Sequence, residues 1–177
     1  NGIIQKLYTD SGKFATVYRS SGDNIRDMLI SGNGKYIYSA TSAGLIRTDL
    51  DTWGSEAIIA IPKSHMYSVL EDSEGNIWTG GVSGIYYYSL KTGDATHIAA
   101  IGNGKSVKTN SLVEDRYHRI WAGTVDGLSF INPSTYPMVT INYTEADGLP
   151  TGTINEESML LTSISRSEER FSRNAEN

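Results

Sequence analysis

One motif recurs at a near-constant interval, and this restricts the fold more than any other feature. Residues 68–85, Ser-Val-Leu-Glu-Asp-Ser-Glu-Gly-Asn-Ile-Trp-Thr-Gly-Gly-Val-Ser-Gly-Ile, return at 111–128 as Ser-Leu-Val-Glu-Asp-Arg-Tyr-His-Arg-Ile-Trp-Ala-Gly-Thr-Val-Asp-Gly-Leu. A weaker copy occupies residues 27–45, and another starts at Gly148 and breaks off. The glycine opening one strand of each copy falls at Gly2, Gly44, Gly84 and Gly127, a period of about 42 residues. Self-similarity on that scale means stacked copies of one supersecondary unit.

Within a unit the signals are short strands and tight turns. Met66–Leu70, Asn76–Gly80, Gly84–Leu90 and Ala95–Ala99 read as strands, rich in β-branched and aromatic residues. Asp72–Gly75 and Lys91–Asp94 read as turns, because Asp bonds the backbone two residues on and Gly accepts positive φ. No segment combines helical periodicity with caps. Four strands in about 42 residues is the size of one blade of a propeller. The expectation is an all-β chain: a β-propeller fragment of about four blades, three of them complete-length repeats with partial ends, each a four-stranded antiparallel sheet.

The repeat accounts for most of the distinctive residues without chemistry. Trp78, Trp121 and Tyr38 share one position and are expected to pack between blades. Asp72 and Asp115 are expected to anchor turns. Gly75, Gly80, Gly84, Gly123 and Gly127 belong to the same structural framework. His118 stands where Gly34 and Gly75 stand in the other copies, so it is expected to tip an exposed turn in a left-handed conformation.

The pattern Glu71-Asp72…Gly75-Asn76-Ile77-Trp78…Gly80-Gly81…Gly84-Ile85 resembles the two-component-regulator propeller repeat. Glu114-Asp115…Ile120-Trp121…Gly123-Thr124…Gly127-Leu128 matches it except at His118. In the copy at 27–45, Ser31, Tyr38 and Ala40 replace the Asp, Trp and Gly. Asn132–Thr135 and Tyr143–Pro150 also look like that family's blade-to-blade linker. The resemblance implies seven-bladed propellers in the periplasmic sensor half of hybrid histidine kinases of Bacteroidetes. It further implies recognition of a glycan-derived oligosaccharide that switches on polysaccharide-use genes, with no catalysis in this region. The implied partners are an oligosaccharide, the remaining blades, a C-terminal β-sandwich of the same receptor and a second copy in a homodimer. A lyase-like propeller enzyme and a purely scaffolding or dimerising propeller are the competing readings.

The propeller is expected over residues 1–165. Residues 166–177 match no repeat and can be encoded by a string that resembles a short-read sequencing adapter, so a translated library artefact is expected there. With no Met at the start and roughly 165 residues of repeat, the chain is expected to be a little over half of a closed ring.

A formal charge of −5 argues against a nucleic-acid footprint, and the absence of Cys excludes disulfides, Cys zinc sites and thiol nucleophiles. No apolar run approaches a membrane span. His65, His97 and His118 fall at different repeat positions without ligand spacing, so no metal and no cofactor are expected. Gly102–Ser106 lacks the spacing and helix of a phosphate loop. Binding residues are expected on loops at one end of the blades, where the fourth-to-first and second-to-third connections meet. Those connections are Ser20–Asn24, Pro62–His65, Gly104–Lys108, Ser42, Val82–Ser83 and Val125–Asp126. His65, Lys108 and Asp126 are the polar candidates there. Trp53, outside the repeated Trp position, is the candidate aromatic platform.

Overall fold

The computed structural model describes residues 2–19, 24–60, 65–98, 107–135 and 138–150, together with Ile154 and Met159. The loop segments 20–23, 62–64 and 104–106, the phosphate-loop-like stretch from Gly102 and the tail at 166–177 lie outside the described residues.

Three meandering, four-stranded antiparallel sheets follow one another along the chain. The first contains β3 (Ile25–Ile30), β4 (Tyr36–Thr41), β5 (Gly44–Asp49) and β6 (Ser55–Ala60). The second contains β7 (Met66–Glu71), β8 (Ile77–Gly81), β9 (Gly84–Tyr88) and β10 (Ala95–Ile98). The third contains β11 (Thr109–Glu114), β12 (Ile120–Thr124), β13 (Gly127–Asn132) and β14 (Val139–Tyr143). A hairpin of β1 (Ile3–Tyr8) and β2 (Lys13–Arg19) precedes them and corresponds to the outer half of a further blade. The first strands β3, β7 and β11 lie side by side across sheet boundaries, so each sheet stacks on the next as blades do. The fold is a partial β-propeller.

Two details differ from the sequence expectation. The third strand of the second blade ends at Tyr88 rather than Leu90, because Ser89 N–H bonds Asp94 O and Gly93 N–H bonds Ser89 O, closing the turn early. The linker after β14 contains one turn of 3-10 helix, Glu145–Asp147, held by a reciprocal capping box between Thr144 and Asp147.

The core lies between blades. Tyr38, Ala40 and Leu45 of the first blade pack with Met66, Val69 and Ile77 of the second. Trp78 and Ile85 of the second pack with Leu112, Ile120, Ala122 and Ile131 of the third. Trp78 is wholly buried and Tyr87 meets its ring at 4.7 Å. Trp121, on the far face of the third blade, is half-buried against Phe130 and Tyr143 of its own sheet. Gly80 shows why a side chain is excluded beside the next blade. A Cβ there would stand 2.6 Å from Thr109 Cγ2 and 2.9 Å from Ser68 Oγ. Gly123 repeats this against Ile154, Ser111 and Met159, so Ile154 and Met159 abut the third blade.

Candidate functional site

The two ends of the blades carry different chemistry. At the end holding the first-to-second turns, an Asp organises each loop. Asp72 accepts hydrogen bonds from the N–H groups of Glu74 (3.0 Å) and Asn76 (2.8 Å) and from the Trp78 indole (2.8 Å). Asp115 does the same with Tyr117 N, Arg119 N and the Trp121 indole, and pairs with Arg119 Nε at 2.6 Å. Burial alone would raise the Asp115 carboxyl, but the Trp121, Arg119 and Tyr117 donors outweigh it and hold it below its ordinary value. In the first blade Ser31 and Asn33 divide the anchoring between them. Ser31 Oγ accepts from Tyr36 N, and Asn33 Oδ1 accepts from Lys35 N.

The preceding Glu joins neighbouring blades. Glu71 accepts from Gly32 N at 2.7 Å, and Glu114 accepts from Ser73 N and Ser73 Oγ at 2.8 and 2.6 Å. His118, at φ 60°, adds its Nδ1 to the same group, 2.7 Å from Ser73 Oγ and 3.2 Å from Glu114. Ser, His and Glu in contact suggest nucleophilic catalysis. Here both partners meet one ring nitrogen, so the imidazole cannot take a proton at one nitrogen while the acid holds the other. The cluster is an inter-blade latch.

The opposite end is built from the residues that open each inner strand. Asn24 O, His65 O and Lys108 O accept from Ser42 N, Val82 N and Val125 N, which ties every inner-strand entry to its own second-to-third turn. His65 and Lys108 thus occupy one repeat position, and the exposed Asp126 lies beside Lys108 on that turn. Trp53 is elsewhere. It sits in the β5–β6 turn at the latch end, with φ 61° and Lys6 Nζ 5.5 Å from its ring centre. The structure therefore gathers three of the four candidates at one end and leaves Trp53 at the other.

Three residues escape a reading of the sequence. The β3–β4, β7–β8 and β11–β12 ladders all shift register across Arg26, Tyr67 and Asn110. A bulge breaks the two-residue alternation and re-aims a side chain. Tyr67 is flanked by Arg26 of the first blade, its Cζ 5.3 Å from the ring centre, and by Lys108 of the third, its Nζ 4.2 Å away. Asn110 is buried; its Nδ2 donates to Ile154 O at 2.6 Å, while its Oδ1 and His65 Nδ1 find no hydrogen-bond partner among the described residues. The available signal is the internal repeat itself: Arg26, Tyr67 and Asn110 align, yet differ where the framework around them repeats.

No protein-family model and no curated sequence matches this chain. Solved structures do. The extracellular domain assigned to a hybrid two-component system of B. thetaiotaomicron superposes with a TM-score of 0.60 at 20% identity, over 71% of this chain and 18% of that one. A second such domain from the same organism gives 0.59 at 23% identity, over 70% and 16%. Virginiamycin B lyase from Staphylococcus aureus gives 0.64 at 15% identity, over 80% and 48%. The chain spans about a fifth of the length of the two-component domains and about half of the lyase. These likenesses establish the propeller fold.

Proposed function

We propose that this chain is part of the extracytoplasmic sensor region of a hybrid two-component histidine kinase, recognising a glycan-derived signal that controls polysaccharide-use genes. The observation that carries the reading is the Arg26–Tyr67–Lys108 group. Three successive blades each contribute one side chain to it, Arg26 and Tyr67 from bulges and Lys108 from the entry to its inner strand. The motif resemblance and the shared fold with extracellular two-component domains support the same reading. Its role in this region is binding, completed by further blades, a β-sandwich and a second receptor copy.

Calorimetric titration with a panel of oligosaccharides tests it. Saturable binding that is lost in Tyr67→Ala is the expected result. If no oligosaccharide binds or shifts the melting temperature, sensing fails and a scaffolding propeller remains. The likeness to the lyase supports a second reading as a propeller enzyme, and release of a cleaved product from any bound saccharide or cyclic peptide would favour it.

A further inference from the structure

We propose that the Arg26–Tyr67–Lys108 group is an anion site, and that the saccharide it takes is acidic, carrying a uronate carboxylate or a sulfate ester. The proposal rests on the glycan-sensing reading and narrows it.

The argument begins with how this protein treats its other cations. Arg47 is paired with Glu56, and Arg119 with Asp115. Both charges are neutralised by carboxylates. Lys6 lies over the Tyr8 and Trp53 rings, whereas Arg26 and Lys108 share a single ring. Each is held by the face of Tyr67, and neither forms an ion pair among the described residues. An aromatic ring attracts a cation through its quadrupole but carries no net charge. The ring therefore positions two cations without neutralising either, in a chain whose formal charge is −5.

Placing two like charges on one ring is unfavourable unless something negative completes the arrangement. Among the described residues no carboxylate pairs with either cation, the neighbouring Asp126 included. A guanidinium and an ammonium are the two donors that recognise carboxylate and sulfate oxygens, the first in a bidentate fork and the second as a point charge. Their two distances to one ring place both within the span of a disaccharide. Two buried polar atoms at this end have no hydrogen-bond partner among the described residues: His65 Nδ1 at the entry equivalent to Lys108, and Asn110 Oδ1 at the bulge equivalent to Tyr67. Asn110 itself is only 4% exposed.

The experiment compares the full chain with its Arg26→Gln/Lys108→Gln and Lys108→Arg variants. The probes are digalacturonate, its methyl ester, a monosulfated disaccharide and cellobiose, each titrated at low and high salt, with circular dichroism checking the fold of each variant. The expected result is that at least one acidic probe binds tenfold or more tightly than the neutral pair. Salt should weaken that binding, Arg26→Gln/Lys108→Gln should lower it at least tenfold, and Lys108→Arg should retain it. Two results overturn the acidic assignment while leaving glycan sensing intact. One is equal binding of acidic and neutral probes; the other is acidic binding that the double charge removal does not change. If none of the four probes binds the chain, the anion site falls, and the wider oligosaccharide panel then decides the sensing reading separately.

Discussion

The two ends of the blades obey opposite rules. At the turn end carboxylates collect donors: Asp72 alone takes N–H donors from Glu74, Asn76 and the Trp78 indole, and Glu114 takes two from the neighbouring blade. At the opposite end, among the described residues, Arg26 and Lys108 form no ion pair and His65 Nδ1 and Asn110 Oδ1 no hydrogen bond. Buried polar groups are normally paired because leaving them unpaired is costly. The carboxylate-anchored turns thus hold blades together, and the proposed site lies at the other end.

The largest test of that contrast is the core beside the carboxylate-anchored end. Trp78→Ala should lower unfolding free energy by about 3–5 kcal/mol, since the ring is wholly enclosed between the second and third blades. Trp121→Ala, at the same repeat position but half-buried, should cost about half as much. Urea denaturation of both decides. Equal losses would mean that the far face of the third blade is covered as fully as the second.

Next come the Asp anchors. Asp72→Ala leaves a buried indole N–H and two backbone donors without an acceptor and should cost about 2–3 kcal/mol. Ser31→Ala should cost only about 1 kcal/mol, because Asn33 keeps its own bond to Lys35 N. The Asp115 carboxyl adds a pH signature. Its folded value lies below the unfolded 3.8, so its stabilisation is present above that value and disappears as pH falls through the lower folded value. Asp115→Asn should flatten this acid limb, read as melting temperature against pH. An unchanged limb would remove Asp115 from the pH dependence.

The sequence conveyed these two ends unequally. Blade number, strand order and the shared position of Trp78, Trp121 and Tyr38 were legible because repetition displays a framework directly. Asp72 was legible as a turn residue, though its bond to the Trp78 indole six residues on was not. The Thr144-x-x-Asp147 capping box was present in the letters but hidden by the absence of any helical period around it. His65 and Lys108 could be placed at the end opposite the Asp-anchored turns from loop order alone. Arg26 and Tyr67 could not, because a bulge breaks the two-residue alternation by which a strand is read. One extra residue turns a side chain outward, and only the shifted pairing reveals it.

A smaller effect should come from the latch. Glu114→Ala removes the contacts to Ser73 N, Ser73 Oγ and His118, but at a partly solvated site, and about 0.5–1 kcal/mol is expected. The matching Glu71→Ala should behave alike through Gly32. Hydrogen exchange at the Gly32 and Ser73 amides reads each latch individually. Protection that survives the substitution would show that the turns are held by their Asp or Ser anchors alone.

The smallest change in stability should follow from the change that most affects binding. Arg26→Gln combined with Lys108→Gln removes two surface-facing charges that share Tyr67, so two opposing contributions are lost. Cation–π attraction to the ring goes, worth about 0.5–1 kcal/mol at exposed sites. Repulsion between the two cations goes as well, and it is strongest at low salt. The net should lie within about 0.5 kcal/mol of the parent protein. Its salt dependence should also change: salt should stabilise the parent by screening the repulsion and leave the variant unaffected. Arg119→Gln, which breaks a contact to the buried Asp115, should behave in the opposite way and destabilise. A loss above about 1 kcal/mol in the double variant would place Arg26 and Lys108 among the structural residues, and the contrast between the two ends would no longer hold.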